Sequence, residues 1–166
     1  GFCMKEYHIP FSSEPVKSAP AVLDIFRWED NGYQPETEAR LSCDGEFLYL
    51  LMTCREKNPL ARFTADGSPV CRDSCMEFFF RTEDTLKYIN LEINPLGTIH
   101  ADFDREPIPV DAKQLRLVSC ITPEKWILQY EVPFSLIEKY FGSVGSCLHA
   151  NFYKCGDKTV HPHYAC

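Results

Sequence analysis

The sequence predicts an all-β fold: an antiparallel β-sandwich of immunoglobulin-like or jelly-roll type with one short helix. Period-two alternation of apolar and polar residues recurs in at least five segments, which is the signature of half-buried strands. Turn residues separate these segments at short intervals. A single stretch has helical spacing. Many short strands, each with one apolar face, bury those faces by packing one sheet on another.

Residues 38–55 read EARLSCDGEFLYLLMTCR, two alternating runs around Asp44-Gly45. That dipeptide is a strong hairpin signal. Residues 75–81 (CMEFFFR) are rich in aromatics and strand-like. Residues 86–94 (LKYINLEIN) put Ile89, Leu91 and Ile93 on one face and Tyr88, Asn90, Glu92 and Asn94 on the other. Pro95-Leu-Gly97 marks a turn. Residues 98–103 (TIHADF) resume with Ile99, Ala101 and Phe103 inward and His100 and Asp102 outward. Residues 115–121 and 126–132 form a further strand pair around Thr122-Pro-Glu-Lys125. Residues 135–141 (SLIEKYF) predict one or two helical turns capped by Ser135. Residues 148–154 (LHANFYK) read as a late strand. The expected core includes Leu50, Met52, Phe78, Phe80, Ile89, Leu91, Ile93 and Leu128. Two stretches read as loops, a long one at 57–73 and a Pro-rich one at Glu106–Val110. Long loops on a rigid sandwich are where binding groups usually sit.

Composition narrows the function classes. At 166 residues the chain predicts one domain, 1–166. Its abrupt end at Cys166, without a stop or turn signal, reads as a domain that lacks its C-terminal segment. Charged residues make up 25% and hydrophobic residues 45%, which excludes wholesale disorder. No apolar run approaches the ~18 residues of a membrane-spanning helix, so no membrane partner is expected. Lys and Arg number 17 against 24 Asp and Glu, a net charge of −7. An acidic chain without a basic stripe lacks the phosphate contacts that dominate nucleic-acid affinity.

The nine cysteines are an odd number and cannot all pair within the chain. Cys43, Cys54 and Cys75 fall in phase with the apolar faces of their strands and are expected as free, buried thiols. This favours a reducing, cytoplasmic setting. A periplasmic or secreted home stays open if a signal peptide has been removed.

Glu77, Asn90, Glu92, His100 and Asp102 project from strand interiors opposite the apolar side. If their strands are neighbours, they form one polar patch. Paired carboxylates and planar amides suit hydroxyl-rich ligands. The plainer reading is a solvated face of an antiparallel sheet. Cys155, His161, His163 and Cys166 carry zinc-type donors, but their spacing fits no standard finger. Asp102, Asp104 and Glu106 carry calcium-type oxygens without a Gly-centred loop and also read as a charged turn. No nucleophile elbow, phosphate loop or dinucleotide fingerprint is present. Glu77 and Glu92 could act as a glycosidase pair only at a suitable separation.

Several stretches together resemble one family. They are Cys43-Asp-Gly-Glu-Phe-Leu-Tyr-Leu50, Arg72-Asp-Ser-Cys-Met-Glu-Phe-Phe-Phe80, the strand from Tyr88 to Thr98, Ala150-Asn-Phe-Tyr-Lys-Cys-Gly-Asp157 and His161-Pro-His-Tyr164. From about residue 20 to the end, the chain resembles carbohydrate-binding module family 9, in its stand-alone branch. The resemblance implies a β-sandwich and a non-catalytic role in holding sugar. Members attached to xylanases grip a terminal sugar between two tryptophans, helped by a Glu, an Arg and amides, and carry structural calcium. The Glu corresponds to Glu77. The first tryptophan falls on Val70 and the Arg near Asn90, while the second tryptophan would follow Cys166. Trp126 lies on an alternating strand and reads as core. Trp28 is balanced between core and exposed platform.

The leading expectation is a non-catalytic module that binds a mono- or oligosaccharide through Glu77, Asn90, Glu92, His100 and Asn151. No cofactor is assigned beyond the structural calcium implied by the resemblance. A rival expectation is a sandwich that has kept the fold and lost sugar binding. A glycosidase or metal-dependent hydrolase is third. An exposed aromatic beside the Glu77–Asn90–Glu92 patch would favour sugar over the rival.

Overall fold

The computed structural model describes residues 5–26, 32–156, 158–159 and 164–165. Its strands are β1 (Ala21–Val22), β2 (Thr37–Cys43), β3 (Phe47–Cys54), β4 (Cys75–Thr82), β5 (Ile89–Ile93), β6 (Ile99–Phe103), β7 (Glu106–Pro107), β8 (Val118–Ile121) and β9 (Trp126–Pro133). Helix α1 (Phe134–Phe141) follows, then β10 (Leu148–Cys155) and β11 (Tyr164–Ala165). They form two antiparallel sheets, a 5-stranded one in the order β1-β2-β3-β9-β8 and a 6-stranded one in the order β11-β10-β4-β5-β6-β7.

The alternation seen in the sequence becomes the interior. Leu50 and Met52 on β3, Phe78 and Phe80 on β4, Ile89, Leu91 and Ile93 on β5 and Leu128 on β9 are all fully buried between the sheets. Trp126 joins them, as its strand phase predicts. Each such side chain contributes roughly 1.5–3 kcal/mol by leaving water. Phe78 packs on Phe80 at 4.8 Å and on Phe152 of β10 at 4.9 Å, so three inner-face rings hold β4 and β10 in register.

The β2–β3 hairpin shows why Asp-Gly was informative. Asp44 Oδ1 accepts the Glu46 and Phe47 N–H groups, both at 3.0 Å. Gly45 takes φ +93°, where an L side chain is strained. Helix α1 departs from the sequence reading. Ser135 lies within its first turn and caps nothing; extended Pro133 is the N-cap residue, without a side-chain bond. The Phe134 N–H instead reaches Glu46 O at 2.8 Å, so the hairpin loop does the capping. Gly142 ends the helix at φ +85° and donates to Glu138 O at 2.8 Å.

Two strands are placed differently from the reading. The predicted strand at 115–121 begins only at Val118, because residues 111–117 coil into turns with Arg116 at φ 46°. The Pro-rich stretch from Glu106 opens with the two residues of β7. Cys54 and Cys75 are buried free thiols, whereas Cys43 is half-buried, lying at the hairpin end of β2. Burial pushes the Cys54 thiol up to about 11, which makes it a poor nucleophile at neutral pH. Trp28, His161, His163 and Cys166 lie outside the described residues.

One charged group crosses the core. Lys154 on β10 belongs by register to the inner row with Met76, and its side chain is fully buried. Its Nζ meets Glu56 Oε1 at 3.2 Å and donates to Cys155 O at 2.8 Å. Trp126 Nε1–H donates to the same Glu56 oxygen at 2.9 Å.

Candidate ligand-binding face

Register builds the outer face of the 6-stranded sheet row by row. Glu77 pairs with Tyr153 on one side and Glu92 on the other, and Glu92 pairs with His100. The next row runs Asn151, Phe79, Asn90 and Asp102. Side chains directly opposite in an antiparallel pair stand about 4.5–5.5 Å apart, so each row is a line of touching groups. Glu77, Asn90, Glu92 and His100 therefore gather into one patch with Asp102. Asn151 shares the face but is exposed, and Phe79 separates it from Asn90.

The patch is recessed. Glu77 is 4% exposed and Asn90 5%. Burial first, then the hydrogen-bonded carboxyl of Glu92 and its charge, push the Glu77 pKa well up. Two carboxylates in contact cannot both ionise cheaply, so this pair holds a proton. Burial and the Glu92 charge also raise Asp102, although His100 opposes them. His100 Nε2 lies 3.5 Å from Asp102 Oδ2 and 3.9 Å from Glu92 Oε2. Asn90 Oδ1 is buried and meets no donor among the described residues. An acceptor in that state has a desolvation cost that a ligand hydroxyl would relieve.

The loop from residue 57 to 73 walls one side, and Asp73 is what fixes it. Asp73 is buried and accepts the N–H groups of Arg62 at 2.8 Å and Phe63 at 3.0 Å. It also accepts Arg62 Nε at 3.0 Å and Asn94 Nδ2 at 3.1 Å. Burial works against its ionisation, but these donors outweigh it and hold the carboxyl below its ordinary range. Ser74 Oγ accepts the Leu60 N–H at 2.9 Å. Asp73 and Ser74 thus tie the loop to the sheet. Asn94, two strand positions beyond Glu92, helps to hold the same loop and its own turn. Its Oδ1 accepts the Leu96 and Thr98 N–H groups, both at 3.0 Å.

Aromatic rings border the patch at positions that the sequence pattern does not single out. Tyr153 stacks on Tyr164 with centroids 5.4 Å apart and planes at 27°. Phe79 meets Tyr153 edge-on at 5.1 Å. All three are half-exposed. Below them Val70, Cys75 and Cys155 are buried in a small apolar cluster with Phe63. Val70 is therefore floor, not platform. Phe79 is visible in the sequence, two residues after Glu77 on the same strand face. Tyr153 becomes a neighbour of Glu77 only through the pairing of β4 with β10, which joins residues far apart in sequence.

The geometry bears on the other chemical readings. Glu77 and Glu92 are in hydrogen-bond contact, closer than the ~5–5.5 Å of a retaining glycosidase pair. Asp104 and Arg105 form the tight β6–β7 turn at φ 51° and 69°. Among the described residues, Asp102, Asp104 and Glu106 do not converge as a group of metal donors. Cys155 is buried, and burial raises its thiol pKa strongly.

Two antiparallel sheets with a recessed carboxylate–amide patch and flanking aromatics have the build of a sugar-binding module. The profile of carbohydrate-binding family 9 matches residues 12–166, and the chain belongs to that family. A crystal structure of a candidate carbohydrate-binding protein from Bacteroides uniformis ATCC 8492 is similar, with 27% identity and a TM-score of 0.75, covering 89% of this chain and 75% of that one. A family 9 carbohydrate-binding module of Caldicellulosiruptor kristjanssonii, solved with cellotriose, shares the fold at 10% identity and a TM-score of 0.64, covering 97% and 79%. One from the same organism, solved with glucose, gives 12% and 0.65, covering 96% and 81%. No curated protein matches the chain.

Proposed function

We propose that the protein is a non-catalytic module that holds a hydroxyl-rich mono- or oligosaccharide on the outer face of its 6-stranded sheet. Family membership supports the class, and the glucose and cellotriose held by the Caldicellulosiruptor modules suggest gluco-configured sugars as first candidates. The observation that carries the site is Asn90 Oδ1, buried without a donor among the described residues, beside the Glu77–Glu92 pair. Asn90 Oδ1 is screened from solvent, so a sugar hydroxyl reaches and donates to it only as the side chains above it shift, while a second hydroxyl exchanges hydrogen bonds with the carboxyl pair. His100 and Asp102 bound the patch on β6. A pyranose face rests against Tyr153, and Asn151 contacts the exposed end of an oligosaccharide.

The test is calorimetry with glucose, cellotriose and a wider saccharide panel on wild type, Glu77→Ala and Asn90→Ala. A hydrogen bond to the charged carboxyl pair contributes about 1.5–3 kcal/mol and one to a neutral amide about 0.5–1.5 kcal/mol, so Glu77→Ala should bind roughly tenfold to hundredfold more weakly and Asn90→Ala roughly twofold to tenfold. Unchanged affinity in both variants would move the site elsewhere. A second reading, a sandwich that has lost sugar binding, rests on Val70 being buried where the family resemblance calls for a stacking tryptophan. Heat-silent titrations across the panel would favour it.

A further inference from the structure

We propose that Glu83, Cys147 and His149 form a site for a borderline-soft divalent cation of the zinc class, separate from the sugar patch. Their ligand atoms lie within 4.8 Å of one another. The strand register explains the grouping. Thr82 pairs with Leu148 and Arg81 with His149, so Glu83 leaves β4 where Cys147 enters β10. Cys147 and His149 are two residues apart along an extended chain and lie on one face. Glu83 comes alongside Cys147 from the neighbouring strand.

The donor set specifies the metal. A thiolate, an imidazole and a carboxylate are the three ligand types that zinc accepts, whereas calcium takes oxygens alone. Bonds of about 2.0–2.3 Å in tetrahedral geometry bring neighbouring donors to within roughly 4 Å of each other. The present spacing needs only a small closure. Glu83 and Cys147 are exposed and free to make it, while His149 is half-buried and anchors the group. As the Sγ–Zn bond forms, the Cys147 thiol releases its proton to solvent. Three protein donors leave the fourth position to water.

The nearby cation does not block the site. The Arg81 guanidinium is directed towards β5: its Nε donates to Tyr88 Oη at 3.2 Å and its Nη1 to Thr85 O at 3.0 Å. Along β4 the site stands roughly 20 Å from Glu77 at about 3.3 Å per residue, so a sugar held at Glu77 leaves it clear, and only an oligosaccharide long enough to reach Asn151 comes within two residues of His149. A bound ion would clamp the end of β4 to the start of β10.

Alkylation of the native protein with and without zinc ions, read by peptide mass mapping, tests this. Cys120 is also exposed and serves as the internal control. Zinc should slow modification of Cys147 at least tenfold and leave Cys120 unchanged. His149→Ala and Glu83→Gln should each lose most of that protection. Equal rates at Cys147 with and without zinc would overturn the proposal, as would protection that survives His149→Ala.

Discussion

Glu56 and Lys154 meet inside the sandwich, Oε1 to Nζ at 3.2 Å, with both side chains almost wholly screened from solvent. Glu56 follows β3 in the 5-stranded sheet and Lys154 lies on β10 of the other, so the pair spans the two layers. Trp126 donates to the same oxygen, so one carboxylate serves partners from two further segments. A buried ion pair is costly to desolvate and costlier to break. Lys154→Ala should lower the unfolding free energy by about 3–5 kcal/mol, since it strands a buried carboxylate. Glu56→Gln with Lys154→Met keeps an acceptor for Trp126 and should cost clearly less than the two single changes added together. Denaturant midpoints of wild type, Glu56→Gln, Lys154→Met and the double variant measure the coupling.

The Glu77–Glu92 pair makes a pH prediction. The folded pKa of Glu77 is raised, so the native state binds its proton more tightly than the unfolded chain does. That contribution is complete below the ordinary value of 4.5 and is lost as pH rises through the folded value. Glu77→Gln keeps the neutral shape and removes the titration. Wild type relative to Glu77→Gln should therefore lose stability as pH climbs above 4.5. Unfolding free energies of both proteins across this range give the slope. Parallel curves would mean that Glu77 stays ionised in the folded state.

Asp73 titrates in the opposite sense. Its folded pKa is lowered, so its contribution is present above the ordinary 3.8 and disappears as pH falls through the folded value. Asp73→Asn replaces an acceptor with a donor facing backbone N–H groups, and should cost about 2–3 kcal/mol near neutral pH. The loss should be local. Amide exchange at Arg62 and Phe63 should quicken, while Leu50 and Leu91 in the core keep their protection.

The fold was legible because its information is local. Alternation in LKYINLEIN states which side of β5 faces the core, and burial of Ile89, Leu91 and Ile93 follows directly. The carboxylate–amide patch was legible for the same reason: Glu77, Asn90, Glu92 and His100 each carry their phase in their own strand. What remained hidden depends on distant pairing. Nothing in LHANFYK marks Lys154 as buried, yet the register with Met76 turns it into the core, where Glu56 makes burial tolerable. Ser135 looked like a cap because nothing local shows that Glu46 O occupies the helix start. Tyr153 and Tyr164 reach the side of Glu77 only through the pairings of β10 with β4 and β11, whereas the family resemblance points to tryptophans at fixed offsets.

That last pair carries the most direct test of how the face grips a ligand. Tyr153 and Tyr164 stack at 5.4 Å next to Glu77, and Phe79 buttresses Tyr153 edge-on. The rings are held by neighbours on three strands, so little order has to be created when a sugar arrives. A pyranose covering about 50 Å² of the Tyr153 ring at roughly 25 cal/mol per Å² gains on the order of 1 kcal/mol. Tyr153→Ala should therefore weaken binding about fivefold to tenfold. Tyr153→Phe keeps the ring and loses only the hydroxyl that accepts from Asn151 Nδ2 at 3.4 Å, so its affinity should stay within about twofold of wild type. Calorimetry on the two variants separates stacking from hydrogen bonding. If Tyr153→Phe lost as much as Tyr153→Ala, the hydroxyl would be the contact and the ring merely its support. If neither variant changed affinity while Glu77→Ala abolished it, the sugar would lie towards Asn90 and His100, away from the tyrosine pair.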